Sequence, residues 1–238
     1  MPAATRPSLA LFTSEPLRAA GDLLGHLRRR RGSDRPQRGD GHAVVLFPGL
    51  ATDGMSLWPL CRYLAGLGYH ALDWGQGFNT RPRGEVDSWL AALADSVLSK
   101  AQAQPAHAGP VSLIGWSLGG LYAREIAKLA PDRVRRVITI GTPFNGTTQQ
   151  TNVGWLFRML NRHAPLDAAQ LRERLASPPP VPTTAIYSRR DGVVAWQACR
   201  HGRNPGIRIN DVRRCARSGG ASGGAGGDEH PRRTQGPP

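Results

Sequence analysis

Val111-Ser112-Leu113-Ile114-Gly115-Trp116-Ser117-Leu118-Gly119-Gly120-Leu121-Tyr122 is the stretch on which the fold turns. Its first four residues form a short apolar run suited to a buried strand. Leu118 to Leu129 is predicted to be a helix, ending ahead of Pro131, since a proline disfavours helical backbone in the residue before it. Between them stands Gly115-Trp116-Ser117-Leu118-Gly119, a G-x-S-x-G pattern that is weak by itself and strengthened by its strand–turn–helix setting. A turn this sharp holds Ser117 in a strained, exposed conformation. Glycines flank it because a Cβ there would collide with the neighbouring strand and helix.

Outward from this stretch, strands and helices alternate. Ala43 to Phe47 is an apolar run closed by Pro48-Gly49 and reads as a buried parallel strand. Ser56 is placed to cap a helix in which Leu57, Leu60, Leu64 and Leu67 share a face, with Gly68 ending it. Tyr69 to Trp74 is a second strand, and Val86, Leu90, Leu93 and Val97 mark a further helix. Val134 to Ile140 and Val181 to Tyr187 are the next strands, and Ile207 to Ile209 a short sixth. This rhythm predicts an α/β fold, a mostly parallel sheet with helices on both faces. It breaks at 142–180, where Trp155, Leu156, Phe157, Met159 and Leu160 cluster ahead of Pro178 to Pro180, so a small cap insertion is expected at about 145–180. The domain is expected over 41–199. A basic arm precedes it at 1–40, where Pro16 opens a helix with Leu17, Leu24 and Leu27 on one face. A Gly/Arg-rich, low-complexity tail follows at 200–238, with too little apolar content to pack and expected to be disordered.

Composition narrows the function. The net charge is +14, but residues 1–40 carry 8 Arg against 4 acids and residues 200–238 carry 8 Arg against 3. A nucleic-acid surface would interleave its basic groups with aromatics on ordered elements, so nucleic acid is not an expected partner. No run approaches the length of a transmembrane segment, and Leu9 to Phe12 is too short for a secretion signal, so the expected location is cytoplasmic. Cys61, Cys199 and Cys215 are odd in number, lack metal spacing and read as reduced thiols. No His/Asp/Glu cluster has ligand spacing, so no metal is expected. Gly75-Gln76-Gly77 follows a strand but lacks a third glycine and leads into Phe78-Asn79-Thr80-Arg81-Pro82 instead of a helix, which argues against a dinucleotide cofactor. No cofactor of any kind is expected.

A serine hydroxyl attacks only when a base removes its proton and donors stabilise the oxyanion. One donor is expected to be the amide of Leu118, the residue after Ser117 at a helix N-terminus. The other is expected from the loop after the first strand, at the amide of Leu50. Asp191 follows a strand at the carboxyl edge, where such sheets gather their sites. Position alone leaves it as either the acid of a Ser/His/Asp triad or the first residue of an Asp-Gly turn.

The segment from about 42 to 195 resembles the α/β-hydrolase superfamily, and within it the lipase/esterase-like branch. The resemblance is carried by Val44 to Leu50 (oxyanion strand and loop), Gly115 to Gly119 (nucleophile elbow), Ile140 to Gly146, and Ile186 to Val194 (the strand end bearing the acid). It implies a serine hydrolase of carboxylic esters, acting on a small-molecule ester or lipid-like substrate through an acyl-enzyme on Ser117, with Asp191 as the acid. Pro48 and Phe144 stand where the family usually has histidines, at positions outside the triad.

The base is the difficulty. Family order puts the histidine after one further strand beyond Asp191. His201 comes too early, and His230, which follows the last strand, is left as the candidate although the glycine-rich tail offers little to hold an imidazole in place. His42, His70, His107 and His163 read as surface or loop residues. With 29 Arg to 2 Lys, the chain looks like the product of a GC-rich gene, and the tail reads as its out-of-frame translation, which would have removed the native histidine and last helix. The alternative function is therefore a catalytically impaired protein of this fold, acting as a binding module or not at all.

Overall fold

The computed structural model describes residues 38–80, 82, 84–103, 109–145, 168–189, 191, 193–200 and 207–211. Its frame is a six-stranded sheet of β1 (Ala43–Phe47), β2 (His70–Asp73), β3 (Val111–Trp116), β4 (Val134–Ile140), β5 (Thr183–Tyr187) and β6 (Ile207–Asp211). The strand order is β2-β1-β3-β4-β5-β6, and every neighbouring pair is parallel. This is the expected α/β architecture. All five residues of β1 are buried, as a central parallel strand requires. β6 extends the sheet with Ile207, inside the stretch whose composition assigned it to the tail.

Alternation along the strands divides the core. Ala43, Val45 and Phe47 of β1 and Val111 and Leu113 of β3 join one cluster with Leu90, Leu93 and Val97 of α2 (Val86–Gln102) and Leu118, Leu121 and Ile126 of α3 (Leu118–Leu129). Leu46 faces the other way, toward Leu57, Trp58 and Cys61 at α1 (Trp58–Gly66). Further along that second face Ile138, Ile140 and Ile186 are only half-buried. α4 (Ala168–Ala176) lies beyond the insertion and buries Leu175. The cluster Trp155 to Leu160, most of the basic arm, the tail beyond Asp211 and Cys215 lie outside the described residues. Cys61 and Cys199 are free thiols.

Ser56 does not cap α1. Asp53 instead caps a 3₁₀ turn over Gly54–Leu57, its carboxylate accepting from the Met55 amide at 3.0 Å, and the α-helix opens at Trp58. The reason is local. Pro59 lacks an amide proton and suits the first α-helical turn, where such a donor has no partner, so the α-helix starts there.

Candidate active site

Ser117 sits between β3 and α3 with φ +53° and ψ −115°, one of two non-glycine residues with positive φ among the described residues. Such a backbone costs about 1–3 kcal/mol, and the surroundings hold it there. The Ser117 amide donates to the Ile140 carbonyl at 2.9 Å, and its own carbonyl accepts from Gly120 at 3.1 Å. The flanking glycines are demanded by contact with backbone. A Cβ on Gly115 would stand 2.3 Å from the Gly119 carbonyl oxygen, and one on Gly119 would stand 2.3 Å from that of Phe47. The second contact brings the end of β1, and the Pro48–Leu50 loop after it, against the first turn of α3. Trp116 lies over Gly49, whose Cβ would be 3.1 Å from the indole.

The strain predicts a measurable asymmetry. Ser117→Gly should exceed Ser117→Ala in stability by about 1 kcal/mol, since glycine adopts positive φ without steric cost. Urea unfolding of the two variants measures it, and an alanine variant of equal or greater stability contradicts the strain.

The elements bring the expected residues to one edge. Leu118 opens α3, where the first amides have no intrahelical acceptor. Leu50 is partly buried and packs on the core. Asp191 follows β5, two strands from β3, about 10 Å across the sheet. Its Oδ1 accepts from the amides of Val193 (2.8 Å) and Val194 (2.9 Å), while Oδ2 lies 3.4 Å from where a Gly141 Cβ would stand, at the end of β4. Asp191 thus makes the turn that its sequence allows, and still presents a carboxylate oxygen toward the strand beside Ser117.

The described histidines are elsewhere. His42 and His70 sit at the amino ends of β1 and β2, the opposite edge from Ser117. His42, expected in a loop or on the surface, is half-buried and holds a Ser/His/Asp line of its own. Its Nε2 is 2.7 Å from Ser112 Oγ, and its Nδ1 meets the Asp40 carboxylate, which also accepts from Arg135 at 2.6 Å. The bonds to His42 and then Arg135 hold the Asp40 carboxyl well below the usual carboxylate range. Ser112 is 3% exposed and five residues ahead of Ser117 on β3, about 17 Å away, and no helix begins beside it. The line fastens β1 to β3 and lacks the features of a reacting site. His26, His107, His163, His201 and His230 lie outside the described residues.

Two buried polar residues were not singled out in the sequence. Asn79, 1% exposed, donates from Nδ2 to the Pro48 carbonyl at 2.8 Å. Arg124, fully buried in α3, lies 4.0 Å over the Phe144 ring. Neither position carries a periodic or motif signal. A cavity of about 310 Å³ is lined by Leu46, Met55, Trp58, Cys61 and Asp73; Ser117 does not line it.

The pattern of parallel strands, strained serine and helix N-terminus matches a known group. A model of the Alpha/beta hydrolase family covers residues 44–222. The chain belongs to that family. A pimeloyl-[acyl-carrier protein] methyl ester esterase of Shewanella woodyi is 30% identical over 105 residues, covering 44% of this chain and 37% of the relative. The chain thus spans well under half the length of the curated relatives it matches. Among solved structures, a monoacylglycerol lipase of Paleococcus ferrophilus superposes with a TM-score of 0.53 at 18% identity, over 72% of this chain and 86% of that one. The Bacillus licheniformis lipase BlEst2 gives 0.51 at 17% identity, over 76% and 86%. These two likenesses show the shared fold. This α/β hydrolase accordingly has esterases among its relatives and shares its fold with lipases. No described helix is long and apolar enough to cross a membrane.

Proposed function

We propose that this α/β hydrolase cleaves carboxylic esters through an acyl-enzyme on Ser117. Ser117 Oγ attacks the ester carbonyl carbon as its proton passes to a base. The tetrahedral oxyanion is received by the amides of Leu118 and Leu50. The C–O bond to the alcohol breaks, the base returns the proton to the departing oxygen, and water then hydrolyses the acyl-serine by the same route. Asp191 orients the base, a histidine. The single observation that carries this reading is the left-handed backbone of Ser117 at the mouth of α3. At a strand-to-helix turn such strain lifts the serine hydroxyl clear of the backbone, as a nucleophile requires. The substrate class is a small-molecule ester, as the printed activities of the relatives suggest.

A second reading has its own observation. Both described histidines belong to the far edge of the sheet, so an impaired protein that binds esters without turning them over is the competitor. Incubation with a fluorophosphonate, followed by digestion and mass spectrometry, separates the two. The expected adduct is on Ser117. No adduct at that residue, under conditions that label a control esterase fully, rejects the catalytic reading.

A further inference from the structure

The segment after β2, Asp73-Trp74-Gly75-Gln76-Gly77-Phe78-Asn79, has no part in the chemistry described so far. Gly75 (φ +76°) and Gly77 (φ +67°) let it double back, and Trp74 Nε1 closes the turn by donating to the Gly77 carbonyl at 3.1 Å. The turn leaves Phe78 58% exposed and Asn79 1% exposed. A carboxamide buried that deeply costs free energy unless its donors and acceptor are used.

The Nδ2 donor and the backbone of Asn79 are directed at one target, the loop after β1. Asn79 Nδ2 donates to the Pro48 carbonyl at 2.8 Å. Its backbone amide donates to the Thr52 carbonyl at 2.7 Å, and its carbonyl accepts from the Ala51 amide at 2.8 Å. Thr52 Oγ1 closes the loop on itself by donating to the Gly49 carbonyl at 2.7 Å. On the other side Asn79 Oδ1 faces the hydroxyl of Tyr122 at 3.5 Å, on α3, and the Tyr122 ring stacks on Trp74. Asn79 therefore stands between the two elements that carry the Leu50 and Leu118 amides. Ala51 is the second non-glycine residue with positive φ (+57°), a conformation the loop does not hold without support.

We infer that Asn79 is a positioning residue for the oxyanion site, fixing the Pro48–Thr52 loop so that the Leu50 amide converges with that of Leu118. This rests on the reading of Ser117 as the nucleophile. The side chain touches no reacting atom. Its effect is geometric, and displacing a catalytic donor by about an ångström costs on the order of 100-fold in rate.

Asn79→Asp tests it with almost no change of shape. It replaces the Nδ2 donor with an oxygen that faces the Pro48 carbonyl, and it leaves both backbone bonds to the loop possible. Asn79→Ser, which cannot reach Pro48, is the second variant should the aspartate fail to fold. Hydrogen exchange of the Ala51 amide in the free protein is expected to rise about 10-fold in either variant, matching the loss of one net hydrogen bond. Turnover of a short p-nitrophenyl ester is expected to fall about 10- to 100-fold in kcat with KM within about twofold, because the lost interaction belongs to the transition state. Val134→Ala, a core truncation at the far end of β4, is the control for a merely structural role. Unchanged exchange at Ala51 overturns the inference, as does a fall in kcat no larger than the control's. If wild type takes no adduct at Ser117, that result strikes the catalytic reading alone, and the hold of Asn79 on the loop is decided by the exchange measurement.

Discussion

Replacing Asp191 by asparagine is expected to cut ester turnover by about 10³- to 10⁴-fold while leaving the unfolding midpoint nearly unchanged. The two halves of that result have separate physical causes. Asparagine keeps an oxygen at Oδ1, so the bonds from the Val193 and Val194 amides survive and the turn after β5 keeps its shape. What disappears is the negative charge and the acceptor at Oδ2, the atom nearest Gly141 and the end of β4. An imidazole oriented by that oxygen would lose its tautomer and the partner that stabilises its protonated form. Steady-state kinetics and urea unfolding on the same preparations check both halves. A loss under about 10-fold would mean that no histidine works against Asp191, and the impaired reading would then take the place of the catalytic one. A large fall in stability would instead mean that the charge of Asp191, and not only its Oδ1 bonds, holds the native structure.

Much of the frame was legible because its signals are local. A strand buried on both faces must be apolar throughout, and Ala43–Phe47 satisfies this within five letters. The elbow was legible for a similar reason. Gly115 and Gly119 are forced by backbone contacts within a few residues of Ser117 or across one strand, and such contacts leave glycine in the sequence. The start of α1 differs from the expected one because Asp53 caps a separate 3₁₀ turn that takes in Ser56, and the α-helix opens only after it, at Trp58 beside Pro59. Asn79 and Arg124 were illegible for a different reason. Asn79 follows an exposed phenylalanine in a glycine-rich turn and looks like a loop residue; two positive-φ glycines carry it inward. Arg124 and Glu125 look like the solvent face of an amphipathic helix. Yet every residue of α3 from Leu118 to Ala127 is buried, with Arg124 and Lys128 donating to carbonyls of residues 174–177 at the end of α4. No periodicity in residues 118–129 announces a cover supplied 50 residues later. The Asp40–His42–Ser112 line is the converse case: three residue types that suggest catalysis when listed together, held by geometry to the wrong edge of the sheet.

The same covering of α3 leads to the largest expected stability effect. Arg124→Ala should cost about 3–5 kcal/mol, because it removes a buried cation together with both of its bonds to the end of α4 and leaves the buried Leu175 carbonyl without that donor. Arg124 Nη2 donates to the Leu175 carbonyl at 3.0 Å and the Ser177 carbonyl at 2.9 Å, both near the C-terminus of α4, where peptide dipoles favour a positive charge. Burial lowers its pKa to about 10, with the charge of Glu125 opposing, so it stays cationic at neutral pH. Its guanidinium carbon lies 4.0 Å over the Phe144 ring. This gives a physical account of Phe144 in a segment where related hydrolases usually carry a histidine: a phenyl face attracts a buried guanidinium, whereas an imidazole that gained a proton would repel it. Phe144→Leu should therefore cost more than its change in packing, and a double-mutant cycle with Arg124→Met should return a coupling of about 1–2 kcal/mol. Arg124→Lys should recover only part of the loss, since an ammonium can reach one carbonyl but cannot lie flat on the ring. Urea unfolding of wild type, the four single variants and the double variant measures each term. If Arg124→Ala costs less than about 1 kcal/mol, water enters as the side chain leaves, and α4 is not bound to α3 through this contact.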